Sequence, residues 1–153
     1  MHASASIVIA RPPKAVFEFM DVPENQARIS PRLSAVETVG TLDSGGKLAT
    51  YTYRLAGLSF DGAVRGIEHD PPEAITFEMV GDIAGEIRWR FEPADGGTRV
   101  TYTATYDLGL PPVAGPLLSP VLDWFNQREL EQTLENLRQS VSTPEYRRPT
   151  GQS

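Results

Sequence analysis

The sequence GEIRWRFEPADGGTRVTYTATYDL, residues Gly85 to Leu108, gives the clearest indication of the fold class. Large apolar side chains alternate with charged residues and threonines on both sides of ADGG, whose residues tolerate the positive φ of a tight turn. This period of two predicts two β-strands, each with one apolar and one polar face. The apolar set is Ile87, Trp89 and Phe91 before the turn and Val100, Tyr102, Ala104 and Tyr106 after it. The predicted β-hairpin therefore has an aromatic face that either packs into a core or borders a cavity.

The same period of two runs through most of the chain before this hairpin. Turn sequences separate the segments, among them DSGG at residues 43–46 and the proline pair at residues 71–72. Because short turns join the segments, consecutive strands are antiparallel neighbours, and the second to seventh strands form a meander. The predicted strands before the hairpin are Ala3–Ala10, Ala35–Leu42, Lys47–Leu55, Leu58–His69 and Ala74–Val80.

Three segments have helical character. The sequences RPPKAVFEFMD (residues 11–21) and VPENQARI (residues 22–29) predict two short helices, since proline is tolerated in the first helical turn. A long C-terminal helix is predicted to begin between Val113 and Ser119 and to end near Val141. Its first half is apolar on nearly every side, whereas its second half is amphipathic. In that second half we assign Leu130, Leu134, Leu137 and Val141 to the interior and Gln127, Arg128, Glu129, Glu131, Gln132, Glu135 and Arg138 to solvent.

This order of elements predicts an α+β fold. We expect a single domain over residues 1–141 and a disordered polar tail over residues 142–153. The apolar face of an antiparallel sheet has to be covered, and only the C-terminal helix is long enough to cover it. A helix of about 25 residues spans roughly 37 Å, enough to cross a strongly curved sheet. Curvature leaves a gap beside such a helix, and we expect a ligand site in that gap.

The overall composition argues against several classes of function. The chain has 153 residues and a net charge of −6, which disfavours nucleic-acid phosphates and anionic membrane surfaces as partners. It has no cysteine, and His2 and His69 lack the spacing of metal ligands, so neither a metal nor another cofactor is predicted. No apolar run reaches the ~18 residues of a transmembrane helix, and the N-terminus lacks a basic leader. We therefore expect a cytoplasmic protein, and the sequence leaves its oligomeric state open.

Three stretches of the chain together resemble a known superfamily. They are IVIARPPKAVFEFMDVPEN (residues 7–25), IEHDPPEAITFEM (residues 67–79) and the hairpin quoted above. In their order and spacing they resemble the polyketide cyclase and START-like superfamily (SRPBCC). This resemblance extends nearly to Val141 and implies a helix-grip fold, a seven-stranded curved antiparallel sheet wrapped around a long C-terminal helix. The matching residues are Pro12, Pro13, Phe17, Asp21, Pro71, Pro72, Trp89, Phe91, Pro93, Gly96, Gly97, Thr98 and Val100.

The resemblance also implies that a hydrophobic or amphipathic small molecule, such as a lipid, quinone or polyketide, binds between the sheet and the last helix. Tyrosines are expected in the lining, because each brings an apolar ring and a hydroxyl that needs a partner. Phe91 and Val100 are expected to close the end of the core, and residues Gly109 to Pro116 to form part of the cavity mouth. The predicted ligand-binding residues are Tyr51, Tyr53, Phe77, Trp89, Tyr102, Tyr106, Leu118, Leu122 and Phe125.

Arg65 is the one charged residue that we consider as a catalytic candidate. In the strand FDGAVRGIEHD (residues 60–70), either Phe60 and Val64 face inward, or Arg65 and Ile67 do. Members of the superfamily place an apolar residue just before E-x-D-P-P, which favours Ile67 inward, but the residues themselves leave both arrangements open. An inward Arg65 would need a partner such as Asp61 and would be able to orient an enol or carboxylate.

Three functions remain open from the sequence. The leading hypothesis is a non-catalytic binder of a small molecule, because the chain shows no convergent set of acid and base residues. An aromatase/cyclase-like enzyme would use Arg65 and a tyrosine to hold a poly-β-keto chain. A protein-interaction module of the chaperone-activator type would act through its surface, and exposure of Trp124 and Phe125 would favour it.

Overall fold

A computed structural model of the protein describes residues 2–55, 57–107 and 115–142, with the backbone alone for Leu55 and residues 115–126. In these ranges seven strands and three helices follow one another in the predicted order, which confirms the α+β fold with two short helices between the first two strands. The elements are β1 (His2–Ile9), α1 (Pro13–Met20), α2 (Pro23–Ile29), β2 (Leu33–Thr41), β3 (Lys47–Leu55), β4 (Leu58–Asp70), β5 (Ala74–Gly81), β6 (Ala84–Ala94), β7 (Gly97–Asp107) and α3 (Gly115–Ser142).

The strands form one antiparallel sheet in the order β1-β7-β6-β5-β4-β3-β2. Strands β2 to β7 are the predicted meander, and β1 pairs with β7 at one edge. The quoted hairpin is β6 and β7, with continuous pairing from Ala84–Asp107 to Ala94–Gly97. Gly96 adopts a φ of 72° in its turn, a conformation that costs glycine nothing. The local turn chemistry therefore sets the register of this hairpin.

Helix α3 covers the inner face of the sheet with the apolar face of its amphipathic second half. The predicted inward residues are all buried: Leu130, Leu134, Leu137 and Val141. The helix packs against β1 and α2, and Asn136 Nδ2 donates to the Ile29 carbonyl at 2.8 Å. Its bounds, Gly115–Ser142, agree with the predicted beginning and end. None of the helices in the described ranges combines the length and the apolar character needed to cross a bilayer.

Helix α1 packs on the end of the core that the hairpin turn approaches. The rings of Phe17 and Phe91 meet edge to face with their centroids 5.7 Å apart. Phe91 pairs with Val100 across the hairpin, and both side chains are buried. This places Phe91 and Val100 in the core below α1, as expected from the sequence.

A partly buried polar cluster fastens the end of α1 to the sheet. Asp21 Oδ1 lies 3.0 Å from Nε2 of His69 on β4. Nζ of Lys47, at the start of β3, donates to Asp21 Oδ2 at 3.3 Å. The Phe17 and His69 rings are in edge contact, with centroids 5.4 Å apart. These contacts indicate a structural role for His69 at the end of the core.

Strand β4 presents Arg65 to the outer face of the sheet, which corrects the inward alternative. The Arg65 side chain is 55% exposed, and its Nη2 atom lies 2.8 Å from Glu78 Oε1 on β5. Ile67 is exposed as well, so the arrangement favoured by the resemblance is wrong. A β-bulge between Gly66 and Glu68 inserts one extra residue. The bulge changes the parity, so that Phe60 and Val64 face inward before it and His69 faces inward after it.

Candidate functional site

A cavity lies between the inner face of the sheet, helix α2 and helix α3. It has a volume of about 80 Å³ and is partly open to solvent. That volume accommodates several water molecules or a small organic group, so a larger ligand requires the walls to move. Most of the described wall is apolar, including Leu33, Val36, Val64, Met79, Ile83 and Ile87.

Five of the predicted ligand-binding residues line this cavity. They share the inner face of the sheet and come from β3, β5 and β7. Because alternate residues of a strand point to the same face, the two tyrosines of β3 are both directed inward, as are those of β7. The five are Tyr51, Tyr53, Phe77, Tyr102 and Tyr106.

Tyr51 contributes a buried hydroxyl to this wall. Its side chain is almost fully buried, and the hydroxyl has no hydrogen-bond partner among the described residues. The ring end lies against Gly62 on β4, where a Cβ atom would stand 2.9 Å from the hydroxyl oxygen. Burial, with a contribution from the negative charge of Asp82, raises the pKa of Tyr51 to about 12. At neutral pH this residue is therefore a protonated donor with an unsatisfied polar atom.

Glu129 contributes a carboxyl group from helix α3. The Tyr53 hydroxyl donates to Glu129 Oε1 at 2.5 Å, and Nε of Arg32 lies 3.5 Å from the same oxygen. The Glu129 side chain is only 10% exposed. Burial raises the pKa of Glu129, and this outweighs the opposite effects of the Tyr53 hydrogen bond and the Arg32 charge. The cavity therefore contains a titratable group whose protonated form is favoured relative to an exposed glutamate.

The tyrosines near Glu129 are held in their neutral form. Burial is the main cause of a strongly raised pKa for both Tyr53 and Tyr102, and the negative charge of Glu129 adds to it in each case. Tyr106 is close enough to both to contribute as well. These groups form a polar cluster at the α3 side of the cavity.

Trp89 is placed differently from the expectation that it borders the cavity. It is directly paired with Tyr102 across the hairpin, and the two rings stack with centroids 3.9 Å apart and an interplanar angle of 14°. Tyr102 lines the cavity, whereas Trp89 is fully buried and is not part of its wall. The stacking contributes to the burial of Trp89, because the Tyr102 ring covers one face of the indole.

Several predicted features lie outside the described residues or side chains. These are the side chains of Leu118, Leu122 and Phe125, the exposure of Trp124, residues 109–114 of the predicted mouth (Gly109 to Pro116) and the tail from residue 143. On helix α3, the described residues that line the cavity are Glu129 and Leu130, neither of which was predicted to do so.

Glu129 is the residue that sequence reasoning assigned wrongly, to the solvent face of its helix. A helical repeat of 3.6 residues puts positions four apart on one side. Glu129 is four residues before Thr133, which is fully buried. The polar residues around Glu129 in the sequence concealed this relationship, because threonine and glutamate both fit a solvated face. The spacing of four residues between Glu129 and Thr133, beside the predicted inward leucines, was the sequence feature that could have indicated an inward Glu129.

No group of three or more histidine, aspartate or glutamate side chains in the described part of the chain is arranged to hold a metal ion. Arg65 lies on the opposite face of the sheet from the cavity. The chemistry available at the described wall is therefore hydrogen bonding, by the tyrosines and by Gln26, Ser30 and Thr50, and proton exchange at Glu129.

The fold and this cavity define a helix-grip protein with an internal, largely apolar pocket. The chain belongs to the polyketide cyclase/dehydrase and lipid transport family, whose family model matches residues 1–142. This membership confirms the SRPBCC resemblance found in the sequence.

Solved structures agree with this assignment. The TTHA0849 protein of Thermus thermophilus superposes with a TM-score of 0.82 at 24% identity, covering 92% of this chain and 97% of that protein. The Zhui aromatase/cyclase of Streptomyces sp. R1128 superposes with a TM-score of 0.77 at 16% identity, covering 99% of this chain and 96% of that enzyme. At these identities the likeness shows a common fold. No curated protein sequence matches this chain.

Proposed function

We propose that this protein binds a hydrophobic or amphipathic small molecule, such as a lipid, quinone or polyketide, in the cavity between the sheet and helix α3. One observation carries the proposal: a largely apolar cavity whose wall includes the Tyr51 hydroxyl, which is buried and has no hydrogen-bond partner among the described residues. A buried hydroxyl without a partner costs free energy, and a polar group on a bound molecule would remove that cost. Pockets that combine apolar walls with a few polar groups are typical small-molecule sites.

The family assignment supports this proposal at a coarser level. The family description names both polyketide cyclases or dehydrases and lipid transport, and both activities require that an apolar molecule enter the protein. The same fold carries several functions, so the residues of the cavity, and not the family, indicate the nature of the ligand.

Two measurements test the binding function. Native mass spectrometry of the freshly purified protein would detect a co-purified ligand, and titration with the neutral probe N-phenyl-1-naphthylamine would report an accessible apolar cavity. Ala104 lines the cavity and is 2% exposed, so Ala104→Leu should reduce the available space and weaken probe binding. Thr105→Leu, on the neighbouring exposed position of the same strand, is the matched control and should bind like the wild type.

The outcome is decided by the pair of variants. Probe binding that is absent in the wild type, together with no co-purified mass, would contradict the proposal. Binding that Thr105→Leu and Ala104→Leu weaken equally would show that the probe uses another surface. Circular dichroism of each variant confirms that the fold is retained.

A second candidate function is a cyclase or dehydrase, and the buried Glu129 carboxyl is the observation that favours it. A carboxylate in an apolar pocket is suited to removing a proton next to a ketone carbonyl. The resulting carboxylic acid can then return that proton to the β-hydroxyl, so that the C–O bond breaks, water leaves and the enone forms. Arg65, which the sequence analysis considered for such a reaction, is on the outer face and has no part in it. Dehydration of an aryl β-hydroxyketone, followed by the absorbance of the enone, tests this candidate. Wild-type acceleration lost in Glu129→Gln would support it, and a wild-type rate equal to that of buffer would contradict it.

A further inference from the structure

We infer that the cavity selects an apolar ligand ending in an uncharged hydrogen-bond donor, a hydroxyl group, and discriminates against the corresponding carboxylate. The inference rests on the proposed binding function and names the chemical class of the ligand. It follows from the charges at the two polar ends of the cavity.

The first polar end is Glu129. Both described contacts of its carboxyl group, from Tyr53 and Arg32, are made to Oε1. In the described part of the chain Oε2 has no hydrogen-bond partner, so it is available to accept from a ligand hydroxyl. A ligand carboxylate at this point would instead bring a second acidic group into a poorly solvated space, where two such groups cannot both ionise freely. Binding would therefore cost either like-charge repulsion or the uptake of a proton.

The second polar end is Tyr51. Its hydroxyl is able both to donate and to accept. Asp82 lies near enough to act on it electrostatically, and Asp82 Oδ2 accepts from the backbone N–H of Asp61 at 2.8 Å. Asp82 therefore contributes negative potential near the Tyr51 hydroxyl, which disfavours an anion relative to a neutral hydroxyl.

Positive charge that would compensate a ligand carboxylate is not supplied by the described wall. Among the described lining residues none is a lysine, arginine or histidine. The guanidinium of Arg32 lies within ion-pair distance of Glu129 and is already paired with that carboxyl group. An anion bound at this point would have to share the charge of this guanidinium with Glu129.

The test compares matched pairs of ligands by isothermal titration calorimetry at about pH 7.5. The pairs are 4-ethylphenol with 4-ethylbenzoate and 4-hexylphenol with 4-hexylbenzoate, so that ring and chain are constant within each pair. A phenol titrates near pH 10 and a carboxyl group near pH 4, so only the benzoates are charged. The wild type should bind the phenols about tenfold more tightly or better, a ratio that a partly screened like-charge contact produces.

Three variants identify the origin of this ratio. Glu129→Gln retains an acceptor but removes the charge and releases Arg32, so the ratio should fall to about threefold or less, mainly because benzoate binding improves. Tyr53→Phe retains the charge and should keep the preference for phenols. Glu131→Gln, at an exposed position on the same helix, is the matched control and should leave the ratio unchanged.

The possible results separate the inference from the function on which it rests. If the wild type binds benzoates as tightly as phenols, or if Glu129→Gln leaves the ratio unaltered, the inference is overturned while small-molecule binding stands. If neither member of either pair binds, the proposed function fails, and the inference fails with it. Circular dichroism spectra that match the wild type ensure that each variant is folded.

Discussion

The hydroxyl of Tyr53 donates a hydrogen bond of 2.5 Å to Oε1 of Glu129, which joins strand β3 to helix α3 across 76 residues of sequence. The pair also places a carboxyl group in a cavity that is otherwise largely apolar. Because a buried carboxyl group is costly without a partner, Tyr53 and Glu129 depend on each other. The first two predictions follow from this dependence.

Tyr53→Phe should lower the free energy of unfolding by about 1.5–3 kcal/mol, the range for hydrogen bonds to charged groups. The physical reason is that Glu129 remains buried but loses its donor. Tyr51→Phe is the matched control on the same strand, since its hydroxyl has no described partner. That change should leave stability unaltered or raise it by about 1 kcal/mol. Urea denaturation measures both, and equal losses in the two variants would contradict this account.

The Glu129→Gln variant should be less sensitive to pH than the wild type. Burial raises the pKa of Glu129 above its usual value of 4.5, so the folded protein holds this proton more tightly than the unfolded chain does. The stability that Glu129 contributes is therefore fully present below about pH 4.5 and is lost as the pH rises through the folded-state pKa. The free energy of unfolding of Glu129→Gln, relative to wild type, should increase between about pH 4 and pH 8.

Urea denaturation across this range provides the measurement, with Glu131→Gln as the exposed control. For the control, the difference from wild type should stay constant with pH. If the free energy of unfolding of Glu129→Gln relative to wild type stays constant or falls with rising pH, the folded protein does not favour the protonated carboxyl group.

Gly62→Ala should destabilise the protein and disturb Tyr51. A Cβ at this position would stand 2.5 Å from the Val80 carbonyl oxygen, as well as against the tyrosine hydroxyl. Because backbone of the neighbouring strand has to shift, the expected loss is about 1–3 kcal/mol. Gly40→Ala is a milder control, since its nearest contact is the mobile end of Leu48 at 3.3 Å. Similar losses by urea denaturation in the two variants would count against the close approach at Gly62.

Arg65→Gln should change neither stability nor binding appreciably. Its ion pair with Glu78 is on the outer face, where such pairs contribute about 0–1 kcal/mol. Val64→Ala, the neighbouring position on the inner face, lines the cavity and should alter N-phenyl-1-naphthylamine affinity. Fluorescence titration measures both affinities. If Arg65→Gln impairs binding more than Val64→Ala does, Arg65 contributes to the binding site.

Trp89 should report ligand binding although it does not line the cavity. Its ring stacks on Tyr102 at a centroid distance of 3.9 Å, and Tyr102 forms part of the wall. A ligand that moves Tyr102 should therefore shift or quench Trp89 fluorescence. The Trp124→Phe background isolates this signal, and Tyr102→Leu in that background should weaken the response. An unchanged spectrum at ligand saturation would show that the stacked pair does not sense the cavity.

The strands of the sheet were predictable from the sequence because apolar and polar residues alternate locally along each strand. The bounds of β3, Lys47–Leu55, agree with the prediction at both ends, and the hairpin of β6 and β7 follows from its turn residues. The parity of β4 was left open, since an extra residue at the Gly66–Glu68 bulge reverses the alternation without any distinctive residue type. For this reason the orientation of Arg65 required the structure.

The candidate site was predictable in part. Tyrosines on predicted inner faces were correctly placed at the cavity, because alternation assigns a face to each strand residue. Trp89 was not, since alternation assigns it to the inner face but does not show that neighbouring side chains bury it away from the cavity. Glu129 was assigned to solvent, because a helical pattern records polarity but not which polar residue meets a partner.

The sequence by itself determined the alternating strands, the turns and the amphipathic second half of α3, which depend on residues close together in the chain. It also determined the family, which depends on the order and spacing of three separate stretches. Only the tertiary structure decided that Glu129 meets Tyr53, that Arg65 faces outward and that the Tyr51 hydroxyl lies without a partner in the described wall. The physical reason is the distance along the chain over which each effect acts. Backbone preference and periodicity act over a few residues, whereas burial and hydrogen bonding in the cavity depend on how a curved sheet brings distant residues against one helix.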